Sequence, residues 1–85
     1  MSESADLKLY TKRACLWCAQ AVDYLKREGF EFEEIDVSSD STKFEEMREI
    51  SGQTYAPTLV CGQLLLADFG VDELETFLSE HDITP

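Results

Sequence analysis

Residues 7–18, LKLYTKRACLWC, are the stretch that decides the fold. The apolar run from Leu7 to Tyr10 is typical of a short β-strand, and the amphipathic pattern that begins near Cys15 predicts a helix. Cys15 and Cys18 are three residues apart, so on the first turn of that helix their sulfurs lie on the same side and can close a small ring. A Cys-x-x-Cys motif between a strand and a helix predicts a thiol–disulfide redox site.

The composition of the whole chain narrows the classes of function. Its 85 residues suffice for a single domain, 1–85. The net charge of −11 argues against nucleic acid and anionic membranes as partners, because both are themselves negative. No apolar run approaches the ~20 residues of a membrane-spanning helix. Residues 1–6 lack the basic and apolar parts of a secretory signal. We therefore expect a cytoplasmic monomer, with residues 1–5 and 82–85 as flexible tails.

The cysteine and histidine residues argue against a disulfide framework and against zinc. The three cysteines, Cys15, Cys18 and Cys61, are an odd number without a signal peptide. A four-ligand zinc site needs another ligand, and the chain has no second Cys-x-x-Cys and a single histidine, His81. We expect no metal site. Cys61 is expected to be a packed or surface thiol without a part in turnover, and His81 a solvated side chain.

The remaining periodicity predicts the element order β-α-β-α-β-β-α. The predicted strands are 7–10, 30–37, 58–61 and 64–66, with Gly62-Gln63 as the turn between the last two. The predicted inner helix faces are Ala21, Val22 and Leu25, then Phe44, Met47 and Ile50, then Val71, Leu74, Phe77 and Leu78, with Gly29 and Gly52 ending the first two helices. A helix between strands predicts a parallel, right-handed crossover, and the hairpin adds antiparallel strands. The expected fold is α/β, with one mixed four-stranded sheet flanked by helices.

Three segments in this order resemble the glutaredoxin branch of the thioredoxin-fold proteins. Residues 10–18, YTKRACLWC, resemble the segment in which a Lys stands three residues before the usual C-P-Y-C. Residues 51–57, SGQTYAP, resemble the family's T-G-Q-x-T-V-P stretch, and residues 70–74, GVDEL, the end of its G-G-C-D-D-L segment. The resemblance covers most of the chain. It implies a thioredoxin-like fold and a dithiol oxidoreductase that uses glutathione to reduce protein disulfides or glutathione mixed disulfides.

Two departures from the family pattern leave other functions open. Leu16 and Trp17 replace the usual Pro and Tyr, and Phe69 stands where the first Gly of the Gly-Gly pair is expected. A Phe in this region also resembles a sister group, the glutaredoxin-like redoxins that serve ribonucleotide reductase and accept electrons from thioredoxin reductase. The loss of the Pro leaves a third interpretation, a [2Fe–2S] cluster shared by two chains through Cys15 and glutathione thiols. Intact Cys15 and Cys18 disfavour a redox-inert binding domain.

The nucleophile of thiol–disulfide exchange must be a thiolate. A free cysteine has a pKa near ~8.5, whereas reactive cysteines at helix N-termini reach roughly 3.5–7.5. A shift of ~2.5 units corresponds to about 3.4 kcal/mol, of which a helix terminus supplies about 0.3–2 kcal/mol. Backbone N–H groups, the Cys18 thiol and the cations Lys12 and Arg13 are expected to provide the rest. Cys15, at the helix tip, is the expected nucleophile, and Cys18, one turn deeper, the resolving thiol.

The resemblance also implies which residues contact glutathione. The expected set is Lys12, Trp17, Gln53, Ala56, Pro57, Gly70, Val71 and Asp72. In the family the peptide bond before the Pro is cis and faces the cysteines. The Ala56 backbone would then be open to glutathione, and the space beside the thiolate closed to a metal. N–H groups around Val71 would bind the γ-glutamyl carboxylate, Asp72 its ammonium, and Lys12 and Gln53 the other carboxylate. Trp17 would shield the sulfur and touch the substrate.

Overall fold

A computed structural model describes residues 7–85, which form four strands and three helices in the predicted order. The elements are β1 (Leu7–Thr11), α1 (Leu16–Arg27), β2 (Glu33–Asp36), α2 (Ser41–Ser51), β3 (Thr58–Cys61), β4 (Leu64–Ala67) and α3 (Val71–Glu80). The strand order is β2-β1-β3-β4, with β1 and β2 parallel and the other pairs antiparallel. This is a thioredoxin-like fold and confirms the predicted mixed sheet. Within residues 7–85, none of the helices has the length and apolar character to cross a membrane.

The side chains of β1 alternate between two hydrophobic clusters, one on each face of the sheet. Leu7 and Leu9 belong to the larger cluster, which α1 and α3 cover. Its buried members are Leu7, Leu9, Ala21, Leu25, Leu59, Phe69, Leu74, Phe77 and Leu78. Tyr10 belongs to the smaller cluster, together with Ile35, Val37 and Met47 of the β2 and α2 regions. The sheet is therefore covered by two helices on one face and by α2 on the other.

Glycine residues end the first two helices, as predicted. Gly29 follows α1 with a φ of 85°. Its N–H bonds to the carbonyl of Lys26 at 3.1 Å, and the N–H of Phe30 to that of Leu25 at 2.9 Å, which is the pattern of a Schellman motif. Gly52, with a φ of 70°, ends α2. Both positions lie in the left-handed region, which glycine adopts without steric cost.

Two predictions about the elements are wrong in detail. β2 is four residues long instead of spanning 30–37. Phe30 and Phe32 are half-buried against the larger cluster and do not pair with β1. Ile50 was predicted to face inward but is 46 % exposed. Each step of three residues falls about 60° short of a full helical turn, so Ile50 has rotated beyond the narrow face of α2 on which Met47 is buried.

The ends of the chain were expected to be flexible. Residues 1–5 lie outside the described part of the chain. Near the other end, the N–H of Ile83 bonds to the carbonyl of Leu78 at 2.9 Å, and the Ile83 side chain packs against the larger cluster. The chain after α3 therefore folds back onto the core at this position.

β2 lies at one edge of the sheet and presents carboxylates to solvent. Glu33, Glu34 and Asp36 are exposed, whereas Ile35 faces the smaller cluster. The hydroxyl of Thr11 lies 3.4 Å from the carboxylate of Glu34. Part of the chain's negative charge is therefore concentrated along this edge.

Two side-chain interactions hold α2 in place. The buried Tyr10 hydroxyl donates a hydrogen bond to the Glu46 carboxylate at 2.6 Å. Burial raises the pKa of Tyr10, and the neighbouring Glu46 raises it further. The bond from Tyr10 lowers the pKa of Glu46, and Lys43, 3.4 Å away, acts in the same direction. At its start, α2 is capped by Asp40, whose carboxylate accepts the N–H of Thr42 at 3.0 Å.

Candidate active site

The two cysteines of the motif lie at the N-terminus of α1. Cys15 is the N-cap residue, with φ −109° and ψ 109°, and its Sγ accepts the N–H of Cys18 at 3.2 Å. The two residues are joined as a disulfide, with Cα atoms 5.2 Å apart. Cys15 is half-buried, and Cys18 is only 3 % exposed. The structure therefore places Cys15 at the helix tip and Cys18 one turn deeper, where the spacing predicted them.

A cis peptide bond faces this disulfide. The bond between Ala56 and Pro57 is cis, as the family resemblance implies, and the carbonyl oxygen of Ala56 lies 3.9 Å from the Sγ of Cys15. Pro57 is buried, and its own carbonyl accepts the N–H of Asp68, just after β4, at 2.9 Å. The backbone of Ala56 therefore runs beside the Cys15 sulfur.

Four of the residues expected to contact glutathione line one cavity between the starts of α1 and α3, whose lining includes neither Cys15 nor Cys18. Trp17, on the first turn of α1, meets Gly70, Val71 and Asp72 at the start of α3 around a cavity of about 460 Å³. Trp17 is 50 % exposed, so it is not a core residue. Val71 was predicted to face inward and is half-buried at the cavity wall. The cavity is thus formed by the N-terminal ends of two helices.

The amide groups at the start of α3 differ in their partners. The N–H of Gly70 donates to the carboxylate of Glu73 at 2.6 Å. Amides in the first turn of a helix have no acceptor within the helix, which leaves the N–H groups of Val71 and Asp72 for a ligand. Negative groups are stabilised at a helix N-terminus. The cavity therefore offers a carboxylate-binding helix start next to a carboxylate, Asp72, that can bind an ammonium.

The two cations beside the motif have different environments. Lys12 is half-buried, and its Nζ donates to the backbone carbonyl of Thr54 at 2.7 Å. The same ammonium lies 5.6 Å from the centroid of the Phe44 ring, within the range of a cation–π interaction. The side chain of Arg13 is exposed, while its backbone N–H bonds to the hydroxyl of Ser38 at 2.6 Å. Lys12 is thus already engaged with the protein, and its contact with glutathione stays a prediction.

Gln53 is also engaged with the protein. Its side-chain amide donates to the hydroxyls of Ser51 at 2.7 Å and Thr58 at 3.1 Å. Its side-chain carbonyl accepts the N–H of Tyr55 at 2.6 Å. Thr58, which is fully buried, in turn donates to the carbonyl of Tyr55 at 2.9 Å. Gln53 therefore organises the loop before β3, a role that the sequence analysis missed. Its contact with glutathione stays a prediction.

Apolar surface that the sequence analysis also missed surrounds the site. Tyr55, next to the cis peptide bond, is 62 % exposed, and Leu16 beside Cys15 is 69 % exposed. On a different side of α1 from Trp17, a groove of about 720 Å³ runs from Cys15 along the helix to Lys26. Exposed apolar side chains around a reactive group are typical of substrate contact surfaces. Leu16 lies within the Cys-x-x-Cys motif and Tyr55 within residues 51–57. This position in the two motifs was the sequence feature that could have identified both as contact residues.

Other residue types used in metal or redox chemistry lie apart from the disulfide. Within residues 7–85, the structure has no cluster of three or more His, Cys, Asp or Glu side chains arranged to hold a metal ion. Cys61 is half-buried in β3 and packs against the larger cluster. His81 is exposed, with its ring 4.7 Å from that of Phe77. The placement of both side chains agrees with the sequence-based expectation.

The fold and the Cys15–Cys18 pair define a thiol–disulfide oxidoreductase with a thioredoxin-like fold. A sequence model described as Glutaredoxin matches residues 7–66. The matched segment covers more than half of the chain and includes both cysteines and the Ala56–Pro57 loop. The protein therefore belongs to the glutaredoxin family.

Individual relatives agree with this assignment. Glutaredoxin 3 of Escherichia coli (strain K12) is 34 % identical over 55 residues, which are 65 % of this chain and 66 % of the relative. The crystal structure of a glutaredoxin from Archaeoglobus fulgidus has a TM-score of 0.74 and 26 % identity, covering 87 % of this chain and 86 % of that one. NrdH-redoxin from Escherichia coli, a glutaredoxin-like protein with a thioredoxin-like activity profile, has a TM-score of 0.71 and 26 % identity, covering 82 % and 91 %. The chain is thus similar to both kinds of redoxin.

Proposed function

We propose that the protein is a glutathione-dependent oxidoreductase that reduces glutathione mixed disulfides and protein disulfides. The Cys15 thiolate attacks the glutathionyl sulfur of a mixed disulfide, the S–S bond breaks, and the substrate leaves as a thiolate that takes up a proton. A glutathione thiolate then attacks the glutathione sulfur bound to Cys15. Oxidised glutathione leaves, and the Cys15 thiolate is restored. Each turnover consumes two glutathione moieties, one from the substrate and one free.

On a protein disulfide the second cysteine completes the reaction. Cys15 first forms a mixed disulfide with one substrate sulfur, and the other substrate sulfur leaves as a thiolate. The Cys18 thiolate then attacks the Cys15 sulfur, which releases the substrate and forms the intramolecular disulfide. Two glutathione molecules reduce that disulfide again. The 3 % exposure of Cys18 supports its part as the resolving thiol, because attack from within the protein needs no access from solvent.

The start of α1 supports ionisation of Cys15. Its sulfur accepts the N–H of Cys18 at 3.2 Å and occupies the N-cap position. An N–H directed at the sulfur and the positive end of the helix dipole both favour the thiolate over the thiol. These contacts are made by the backbone of the motif, so they do not require the Pro that Leu16 replaces.

The observation that carries the glutathione assignment is the cavity between Trp17 and the start of α3. The γ-glutamyl end of glutathione carries a carboxylate and an ammonium. The N–H groups of Val71 and Asp72 suit the carboxylate, and the side chain of Asp72 suits the ammonium. The Ala56 backbone, beside the Cys15 sulfur, suits pairing with the cysteinyl part.

A choice of reductants tests this proposal. The purified protein is assayed on a glutathionylated peptide, with NADPH and either glutathione plus glutathione reductase or thioredoxin reductase alone. Turnover with glutathione is expected, and none in Cys15→Ser. Asp72→Asn should raise KM for glutathione about tenfold, because it removes a charge-assisted hydrogen bond to the ammonium. Glu75→Gln, which neutralises another exposed acid of α3, is the matched control. An unchanged KM in Asp72→Asn would contradict the cavity assignment.

A second candidate function takes electrons from thioredoxin reductase. Phe69, in place of the family's Gly, is buried in the larger cluster, and Lys12 and Gln53 already bond within the protein. The second carboxylate of glutathione therefore lacks two of the partners expected for it. Similarity to NrdH-redoxin points the same way. In the assay above, turnover with thioredoxin reductase and none with glutathione would support this candidate and refute the first.

The net charge supports a proposal about partners, and the sequence-based expectation of a cytoplasmic monomer is kept with it as a proposal. The protein would act as a monomer in the cytoplasm on disulfide-bonded or glutathionylated proteins, without nucleic acid or membrane partners. A net charge of −11 repels polyanions and anionic lipid surfaces. Light scattering after size-exclusion chromatography should give the mass of one chain, and cell fractionation should place the protein in the cytosol. A stable dimer, or recovery with membranes, would contradict these statements.

A further inference from the structure

Lys12 connects two loops that meet at the disulfide. It lies in the β1–α1 loop, three residues before Cys15, and its Nζ donates to the carbonyl oxygen of Thr54 in the α2–β3 loop at 2.7 Å. The ring of Phe44, on α2, lies 5.6 Å from the same ammonium. The Lys12 side chain is half-buried. A charged donor makes a stronger bond with a backbone acceptor than a neutral donor does, and this bond is itself exposed to solvent.

The α2–β3 loop has a separate set of anchors on its other side. The side-chain carbonyl of Gln53 accepts the N–H of Tyr55 at 2.6 Å, and the hydroxyl of Thr58 donates to the carbonyl of Tyr55 at 2.9 Å. These bonds fix the loop to the start of β3. The bond from Lys12 to Thr54 joins the α2–β3 loop to the β1–α1 loop, which carries Cys15. Ala56 follows Tyr55 directly, so it lies between that anchored residue and the start of β3.

We propose that Lys12 is a positioning residue that holds the Ala56 backbone at its place beside the Cys15 sulfur by binding the carbonyl of Thr54. The carbonyl of Ala56 lies 3.9 Å from that sulfur. A displacement of about 1 Å between reacting groups can cost on the order of 10²-fold in rate. Lys12 then assists every substrate whose backbone lies along Ala56, whether or not that substrate carries a carboxylate.

The positioning role of Lys12 rests on the proposed function only for the identity of glutathione as the reductant. It differs from direct binding of glutathione by the Lys12 ammonium. A lysine that bound the glycyl carboxylate of glutathione would matter only when that carboxylate is present. A lysine that positions the loop would matter equally when the carboxylate is masked. The two roles therefore predict different responses to a glutathione whose glycyl carboxylate is esterified.

The kinetic test compares glutathione with its glycyl monoethyl ester as reductant. Lys12→Met keeps the apolar length and removes the charge, Lys12→Arg keeps a donor for the Thr54 carbonyl, and Lys8→Met makes the same change at an exposed lysine of β1. Lys12→Met should lower kcat/KM about tenfold with both reductants. The kcat/KM of Lys12→Arg should stay within about threefold of the wild-type value. The kcat/KM of Lys8→Met should equal the wild-type value. A loss confined to free glutathione, or no loss with either reductant, would overturn the proposal.

A second measurement does not depend on glutathione. Hydrogen–deuterium exchange of the oxidised protein is followed by mass spectrometry for the segment 53–58. Lys12→Met should speed exchange there about tenfold, because one anchor of the loop is lost, whereas Lys12→Arg and Lys8→Met should exchange like the wild type. Wild-type exchange in Lys12→Met would refute the positioning role. If the wild type does not use glutathione at all, the proposed function fails and this measurement alone decides on Lys12.

Discussion

Replacing Phe69 by Gly would restore the Gly-Gly pair of the family pattern, and we expect it to destabilise the protein severely. Phe69 is 1 % exposed and belongs to the larger cluster together with Leu7, Leu59 and Leu74. It lies between β4 and α3, so its side chain anchors the segment that leads into the cavity beside Trp17. Its φ is not among the positive values of the described residues, and a glycine would therefore relieve no backbone strain.

The size of the effect follows from the burial of Phe69. Truncating a buried Phe to Ala costs about 3–5 kcal/mol, and a glycine adds about 0.5–1 kcal/mol through the entropy of the unfolded chain. The expected loss is therefore about 4–6 kcal/mol. A chain of 85 residues has a free energy of unfolding of about 4–13 kcal/mol. Phe69→Gly should thus remove between a third and all of the stability, whereas Phe69→Leu, which retains most of the volume, should cost about 1–2 kcal/mol.

Urea unfolding of the oxidised protein, followed by far-ultraviolet circular dichroism, measures these losses. Tyr55→Ala serves as the control because it removes an aromatic side chain that is 62 % exposed, and it should change the free energy of unfolding by less than about 0.5 kcal/mol. The variant Phe69→Leu keeps the comparison measurable if Phe69→Gly does not fold. A Phe69→Gly protein as stable as Tyr55→Ala would refute the argument that this departure from the family pattern is a core residue.

Three further predictions concern α2 and the cysteine pair. Asp40→Ala should lower the free energy of unfolding by about 1 kcal/mol through loss of the cap to Thr42, as measured by urea unfolding, and Asp40→Asn should not. Tyr10→Phe should cost about 1.5–3 kcal/mol at neutral pH. The Tyr10 bond lowers the pKa of Glu46. The stabilisation is therefore present above the ordinary carboxyl pKa and is lost as the pH falls through the lowered pKa. A Tyr10→Phe variant that loses as much free energy of unfolding in acid as at neutral pH would contradict this prediction. Cys18→Ser should retain reduction of glutathione mixed disulfides and lose that of protein disulfides, in the reductant assay; undiminished reduction of both would refute its resolving role.

Local sequence patterns were sufficient to predict the order of the elements. A glycine after each of the first two helices, the apolar run of β1 and the Gly62-Gln63 turn are all features of neighbouring residues. The predictions that were wrong concern features that depend on tertiary packing. The extent of β2 depends on whether Phe30 and Phe32 pair or pack, and the exposure of Ile50 depends on how much of α2 the sheet covers. Neither follows from periodicity alone.

In the active site, too, local sequence patterns predicted the features formed by neighbouring residues but not the contacts between distant ones. Cys15 and Cys18 lie within one helical turn, so their spacing was enough to place them together. The partners of Lys12 and Gln53 depend on how separate loops meet; Lys12 and Thr54 are 42 positions apart. No pattern in a single sequence encodes that approach, and the expectation that both residues bind a carboxylate came from the family resemblance alone. The cavity at Trp17 likewise exists because α1 and α3 begin side by side.

The acidic edge formed by β2 has a consequence for how the protein behaves when concentrated. Two molecules that met through this strand would bring Glu33, Glu34 and Asp36 of one copy against the same carboxylates of the other. Mutual repulsion therefore blocks the growth of a continuous intermolecular sheet as long as these groups are ionised. In strongly acidic solution carboxyl groups are protonated, so this electrostatic protection of the edge strand is lost.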